Sequence, residues 1–159
     1  MANPEESMPK ISAGILLYRR HGGATEVLLV HPGGPFWRNK DLGAWSIPKG
    51  EAQPGEPLLD HAKREFAEET GFPASGDFKP LTPQRQASGK LVHAWALEGD
   101  LDASAVVSNN FSLEWPPHSG KRQEFPEVDR AQWFDLAVAR QKIHRGQIGF
   151  LSELEVLLR

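Results

Sequence analysis

The chain of 159 residues reads as a mixed α/β sandwich, and three features of its pattern say so. Short, β-rich apolar runs are interspersed with helical patterns rather than gathered into separate blocks. Two of those runs are joined by a glycine turn of hairpin length, which makes them antiparallel neighbours. One long helical stretch carries an apolar stripe on a single side, so that side must rest against a core.

The elements follow in order. Ile11 to Arg19 (ISAGILLYR) is apolar along most of its length and reads as a strand buried on much of its surface. HGGAT makes the turn, and Glu26 to His31 (EVLLVH) returns as a second strand. Next comes PGGPFWRNKDLGA, a long loop rich in Gly and Pro that carries Phe36, Trp37, Arg38 and Lys40. Loops of this length in compact domains are often functional. WSIP, residues 45–48, is a short strand ending at a proline.

From Pro57 to about Thr70 the pattern is helical, with Glu56 near the N-cap, Pro57 at the first helical position and Gly71 as the stop. At 100° per residue, Leu59, Ala62 and Phe66 fall within about 60° of one another and face the core. KPLTPQRQ (79–86) and KLVHAWALEG (90–99) read as strands joined by a turn at Ser88 to Lys90. Residues 103–126 are polar and contain Pro116, Pro117, Ser119 and Gly120, which suggests an excursion over the surface. RAQWFDL (130–136) is a strand leading into a helix, and Ile148 to Leu158 closes the chain as an amphipathic helix.

Composition narrows the functional classes. Hydrophobic residues are 39% and charged residues 25%, ordinary values for a globular domain. We expect one domain over residues 9–159 after a short disordered leader at 1–8. The net charge of −3 carries no electrostatic footprint for duplex nucleic acid. The absence of cysteine excludes disulfides, thiolate metal sites and cysteine nucleophiles, and fits a reducing compartment. The opening MANPEESMPK has neither a basic nor an apolar secretory region, and no apolar run approaches the roughly 18 residues that cross a bilayer. A cytoplasmic protein with no membrane partner is expected, as monomer or homodimer.

The chemistry is concentrated in REFAEETG, residues 64–71. Like charges three and four apart on a helix repel by a few tenths of a kcal/mol per pair. Glu65, Glu68 and Glu69 nevertheless fall within about 100° on the helix face that adjoins the apolar stripe. A hard divalent cation rewards such a cluster. Mg²⁺ takes oxygen ligands, keeps several waters, and is commonly shared with substrate phosphates. With no cysteine and no His-x-x-x-His pair, zinc ligation does not fit. His61 lies on the same face by wheel geometry and reads as a solvated helix residue.

The run GEAQPGEPLLDHAKREFAEETGF resembles the Nudix box: Gly50, five residues, Glu56, seven residues, then Arg64-Glu65-Phe66-x-Glu68-Glu69-x-Gly71-Phe72. Every specified position is filled, and the strands around it fall where that family's fold has them. The resemblance implies an α/β/α sandwich with a mixed β-sheet. It also implies an enzyme that hydrolyses a nucleoside diphosphate linked to a further group X, with Mg²⁺ or, as a substitute, Mn²⁺. The Gly50 carbonyl and the carboxylates of Glu65, Glu68 and Glu69 would hold the metal, with Glu56 as an outer ligand and Arg64 orienting the cluster. The residue that deprotonates water would be Glu68 or Glu65. Among later glutamates, Glu127 is preferred over Glu124 as an extra metal ligand.

Pro48-Lys49-Gly50 resembles the dinucleoside polyphosphate hydrolase branch, whose lysine lies near the phosphate chain. Lys49 is therefore expected to bind substrate, with Lys40 and Arg38 assisting. Phe36, Trp37 and Trp45 offer surfaces on which a base could stack. Trp45, within a strand, reads as structural and Trp37, in the loop, as the stacking residue. Trp115 stands isolated. That branch usually carries a tyrosine after the box, where this chain reads RQASGKL; its one tyrosine is Tyr18. Diadenosine tetraphosphate or a related molecule is thus the expected substrate. The alternatives are noncanonical or oxidised nucleoside triphosphates, or nucleotide binding without catalysis.

Overall fold

Gly22 and Gly23 take φ angles of 60° and 81°, a region where side chains are strained. They fold β1 (Ile11–His21) back on β2 (Ala24–Pro32). The hairpin pairs Tyr18 with Val27 and His21 with Ala24. The computed structural model describes residues 10–159, so the leader expected at 1–8 lies outside the described residues.

Toward the start of β1 the two strands part. There β1 pairs instead with β3 (Lys49–Glu51), Ala13 opposite Gly50 and Gly14 opposite Lys49. The chain between fills the fork. Ser46 exchanges both backbone bonds with Val30, at 2.9 and 3.0 Å, and the Pro48 carbonyl accepts from Ile15 N–H at 3.1 Å. WSIP, expected as a strand, therefore forms only isolated bridges. It crosses from β2 to β1 and runs alongside neither.

On the other side of β1 lies β6 (Leu91–Glu98), parallel to it from Ile11↔Leu91 to Tyr18↔Glu98. β9 (Val128–Asp135) pairs antiparallel with the far side of β2. The order β6-β1-β2-β9 is the centre of a mixed sheet. The run 79–86 splits into β4 (Lys79–Pro80) and β5 (Gln84–Arg85), since Pro80 and Pro83 have no N–H to give a continuous ladder. Residues 103–126, expected as an excursion over the surface, include a separate hairpin, β7 (Asn110–Glu114) with β8 (Arg122–Pro126).

Alternation along β1 builds two cores. Ala13, Ile15 and Leu17 pack with Ala62 and Phe66 of α1 (Leu58–Thr70). Leu16 and Tyr18 face Ala139 of α2 (Leu136–Lys142) and Phe150, Leu151 and Leu154 of α3 (Ile148–Leu157). Helices thus cover both faces of the sheet, the α/β/α arrangement. Among the described residues no helix is long and apolar enough to cross a membrane. α1 ends as expected: Gly71, at φ 80°, donates its N–H to the Ala67 carbonyl at 2.8 Å, a left-handed stop.

Candidate active site

α1 lies beneath the Gly50 end of the sheet, and contact between the two is close. A β-carbon on Gly50 would sit 2.1 Å from the carboxyl carbon of Glu65. Only glycine lets the strand approach the carboxylate so nearly. Behind this contact stands His61, which is buried at 2% exposure and not solvated as its sequence position suggested. Its Nε2 is 3.0 Å from the Gly50 carbonyl oxygen, an acceptor, so that nitrogen bears the proton. Nδ1 then accepts from Arg64 Nη2 at 2.7 Å. The helical wheel carried the signal for His61, but nothing local told that a strand carbonyl would meet it.

Arg64 ties the helix face together. Its Nη2 lies 2.6 Å from Glu56 Oε1, and its Nε lies 3.9 Å from Glu68 Oε1. Glu56 also accepts the Gln53 N–H at 3.1 Å. That backbone bond, with Arg64 beside it, holds the Glu56 carboxyl below the usual range.

The remaining carboxylates are destabilised as anions. Glu69 is nearly buried and accepts the Lys49 N–H at 3.2 Å. Burial pushes its carboxyl up to about 8, although the Lys49 ammonium opposes this. Burial, and then Glu68, also raise Glu65. Glu127 is raised by burial and by Glu68, and in turn raises Glu65 and Glu69. It reaches this field through the backbone: Glu127 N–H donates to Asn109 O, and Asn109 N–H to Glu68 O, both at 2.9 Å. Glu124, the other late candidate, is exposed on β8 opposite Ser112 and takes no part.

Lys49 borders the same place from the strand side with its backbone amide. Burial, and then nearby Lys90, lower its ammonium, against Glu69, Glu65 and Glu51, which raise it. Its side chain leaves β3 beside Gly14, on the face opposite to that of Gly50. Lys40 and Trp37 keep company with each other, the ammonium 4.9 Å from the ring centroid. Their loop is held by His31, whose Nε2 lies 2.6 Å from the Lys40 carbonyl. Among the described residues no contact joins this pair to the carboxylates. Lys40 instead lines a groove of about 620 Å³ with Arg38, Trp45, Arg130 and Lys142. Trp45 is core, 1% exposed, with Nε1 donating to Asp41 at 2.8 Å.

Among the described residues no three His, Asp or Glu side chains close around one point. Glu69 is drawn to the Lys49 amide and Glu68 toward Arg64, and like charges favour separation. The donor chemistry nonetheless fits a hard divalent cation. It offers carboxylate and carbonyl oxygens, no thiol, and a histidine whose two nitrogens are both engaged. Carboxyls raised by burial and mutual repulsion become favourable anions once a dication lies among them.

The family model described as NUDIX domain matches residues 8–154. No curated protein is matched by this sequence. Among solved structures, the chain is similar to the Caenorhabditis elegans Ap4A hydrolase in a binary complex, at TM-score 0.62 and 22% identity, covering 92% of this chain and 97% of that one. It is similar also to the NUDIX domain of Shewanella oneidensis NrtR complexed with ADP ribose, at TM-score 0.66 and 17% identity, covering 99% and 94%. A third similar structure is the Escherichia coli ORF135 protein, at TM-score 0.56 and 22% identity, covering 98% and 96%.

Proposed function

The chain belongs to the Nudix family, hydrolases of acid anhydrides in phosphorus compounds, and from that membership we propose that it cleaves a dinucleoside polyphosphate of the diadenosine tetraphosphate kind, with Mg²⁺ as the preferred cation. Nudix enzymes generally use divalent metals. Here Glu65, Glu68, Glu69, Glu127 and the Gly50 carbonyl would hold the cation. When bound, it neutralises phosphate charge and makes water a better nucleophile.

The protein's own residues supply the rest. His61 and Arg64 keep the Gly50 carbonyl and the Glu68 carboxylate in position. Glu65, already raised by burial, would accept the proton of the attacking water at a carboxylate oxygen, with Glu68 as its alternate. Lys49 carries the substrate assignment. The Lys49 amide is bonded to Glu69, and its side chain, whose ammonium is lowered by burial, leaves a strand whose next residue is Gly50. A phosphate chain lying across that strand would restore the charge compensation that burial removes from the lysine.

A panel of dinucleoside polyphosphates and nucleoside triphosphates, assayed with Mg²⁺ and with products identified by mass spectrometry, tests this reading. Diadenosine tetraphosphate should be split asymmetrically, with kcat/KM well above that for ATP. Lys49→Ala should lower kcat/KM for the dinucleotide by roughly tenfold or more. Preferred cleavage of triphosphates to a monophosphate and pyrophosphate, or an unchanged kcat/KM in the variant, overturns it.

A further inference from the structure

The β7–β8 hairpin is rooted at the carboxylate cluster and reaches away from it. Its base is bonded to α1 through Asn109, and Glu127 follows directly on β8. From Asn110 the strand leads outward to Trp115, about 16 Å further at ~3.3 Å per residue.

Alternation sorts the hairpin's two faces. Phe111, Leu113 and Trp115 fall on one face with their partners Phe125, Gln123 and Lys121, while Glu114 and Glu124 fall on the other. The aromatic face meets the loop after β2. Phe111 packs over Gly34, and Phe36 meets Trp115 edge to face, with centroids 5.4 Å apart at 83°. Trp115, isolated in the sequence, is therefore half of a pair. Phe36 remains 58% exposed and the adjacent Trp37 38%. The strand acids point away from this side, and Lys121 stands on it, with Arg38 and Lys40 on the facing loop. Exposed rings set among cations suit a nucleobase and the phosphates that lead to it.

We propose that Phe36 and Trp115 form a second nucleoside subsite, which takes the far end of a dinucleoside polyphosphate whose phosphates lie at the carboxylates. The inference rests on the substrate reading above. It adds that a molecule with a nucleoside at each end of its phosphates gains a stacking contact there, which a mononucleotide bound by its own base nearer the carboxylates does not, so the subsite distinguishes dinucleotides from mononucleotides.

Calorimetric titration with methylene-bridged analogues of diadenosine tetraphosphate and of ATP, in Mg²⁺, tests it. The wild type should bind the dinucleotide analogue about tenfold more tightly than the ATP analogue. Trp115→Ala should remove that advantage, leave ATP-analogue binding within about twofold, and be rescued by Trp115→Phe; Phe36→Ala should act likewise and serves if Trp115→Ala melts early. Equal losses for both analogues, or no dinucleotide advantage in the wild type, overturns the subsite. Hydrolysis separates the two readings: cleavage of diadenosine tetraphosphate with a Trp115-independent affinity defeats the subsite alone, whereas a Trp115-dependent advantage without cleavage defeats the substrate reading alone.

Discussion

Glu69 shows how a single residue couples the site to the stability of the chain. Its folded value near 8 lies above the ordinary 4.5, so between those values the folded chain holds a proton that the unfolded chain has released. The stabilisation from this group is full below about 4.5 and is lost as pH rises to about 8. In EDTA, the difference in Tm between Glu69→Gln and wild type should therefore grow in the variant's favour from pH 5 to pH 8.5. About 3 °C at the upper end corresponds to roughly 1 kcal/mol in a domain of this size. A difference flat with pH argues against the buried acid. With Mg²⁺ the same variant should lose roughly two orders of magnitude in kcat while its melting stays cooperative. His61 calls for another experiment. His61→Ala frees the Gly50 carbonyl, and a lost orienting contact costs about 10–100-fold in metal affinity or activity. The Mg²⁺ concentration for half-maximal rate should rise, and His61→Gln should recover part of it; an unshifted Mg²⁺ dependence would leave His61 a packing residue.

Elements were legible in proportion to how local their signal is. α1 was readable because Leu59, Ala62 and Phe66 repeat at helical spacing, and because Pro57 and Gly71 bracket them. β1 and β2 were readable because a glycine turn joins two apolar runs. WSIP misled because its partners, Val30 and Ile15, sit in different strands, and no local pattern says that a segment crosses a fork. The β7–β8 hairpin was missed because only β7 (NFSLE) alternates, its partner β8 (RQEFP) does not, and the prolines and glycine between them read as surface loop. The meeting of β3 with α1 yields a prediction of its own. Gly50→Ala places a methyl 2.1 Å from the Glu65 carboxyl carbon, so strand or helix must move. Turnover should fall by about 100-fold, since a misplacement near 1 Å costs that much, while far-ultraviolet dichroism stays native. Wild-type turnover would show that the contact yields freely.

Across the whole molecule, the C-terminal helix is tied to the segment ahead of β3 through Gln147, 1% exposed just ahead of α3. Its Oε1 accepts the Ile47 N–H at 3.0 Å and its Nε2 donates to Ser46 Oγ at 3.0 Å. The C-terminal layer thus anchors the segment that leads to Lys49 and Gly50. Gln147→Leu leaves a buried amide unpaired, at about 1–3 kcal/mol, and should lower Tm by roughly 3–10 °C. An unchanged Tm would mean that the amide finds another partner.

By itself the amino-acid order determined the helix, its carboxylate face and the first strand pair, because these follow from periods of 3.6 and 2 residues and from the φ angles that glycine and proline allow. Tertiary structure alone decided that His61 is buried against the Gly50 carbonyl and that Trp115 finds Phe36. Each of those depends on segments brought together by packing, and distance along the chain carries no record of such meetings.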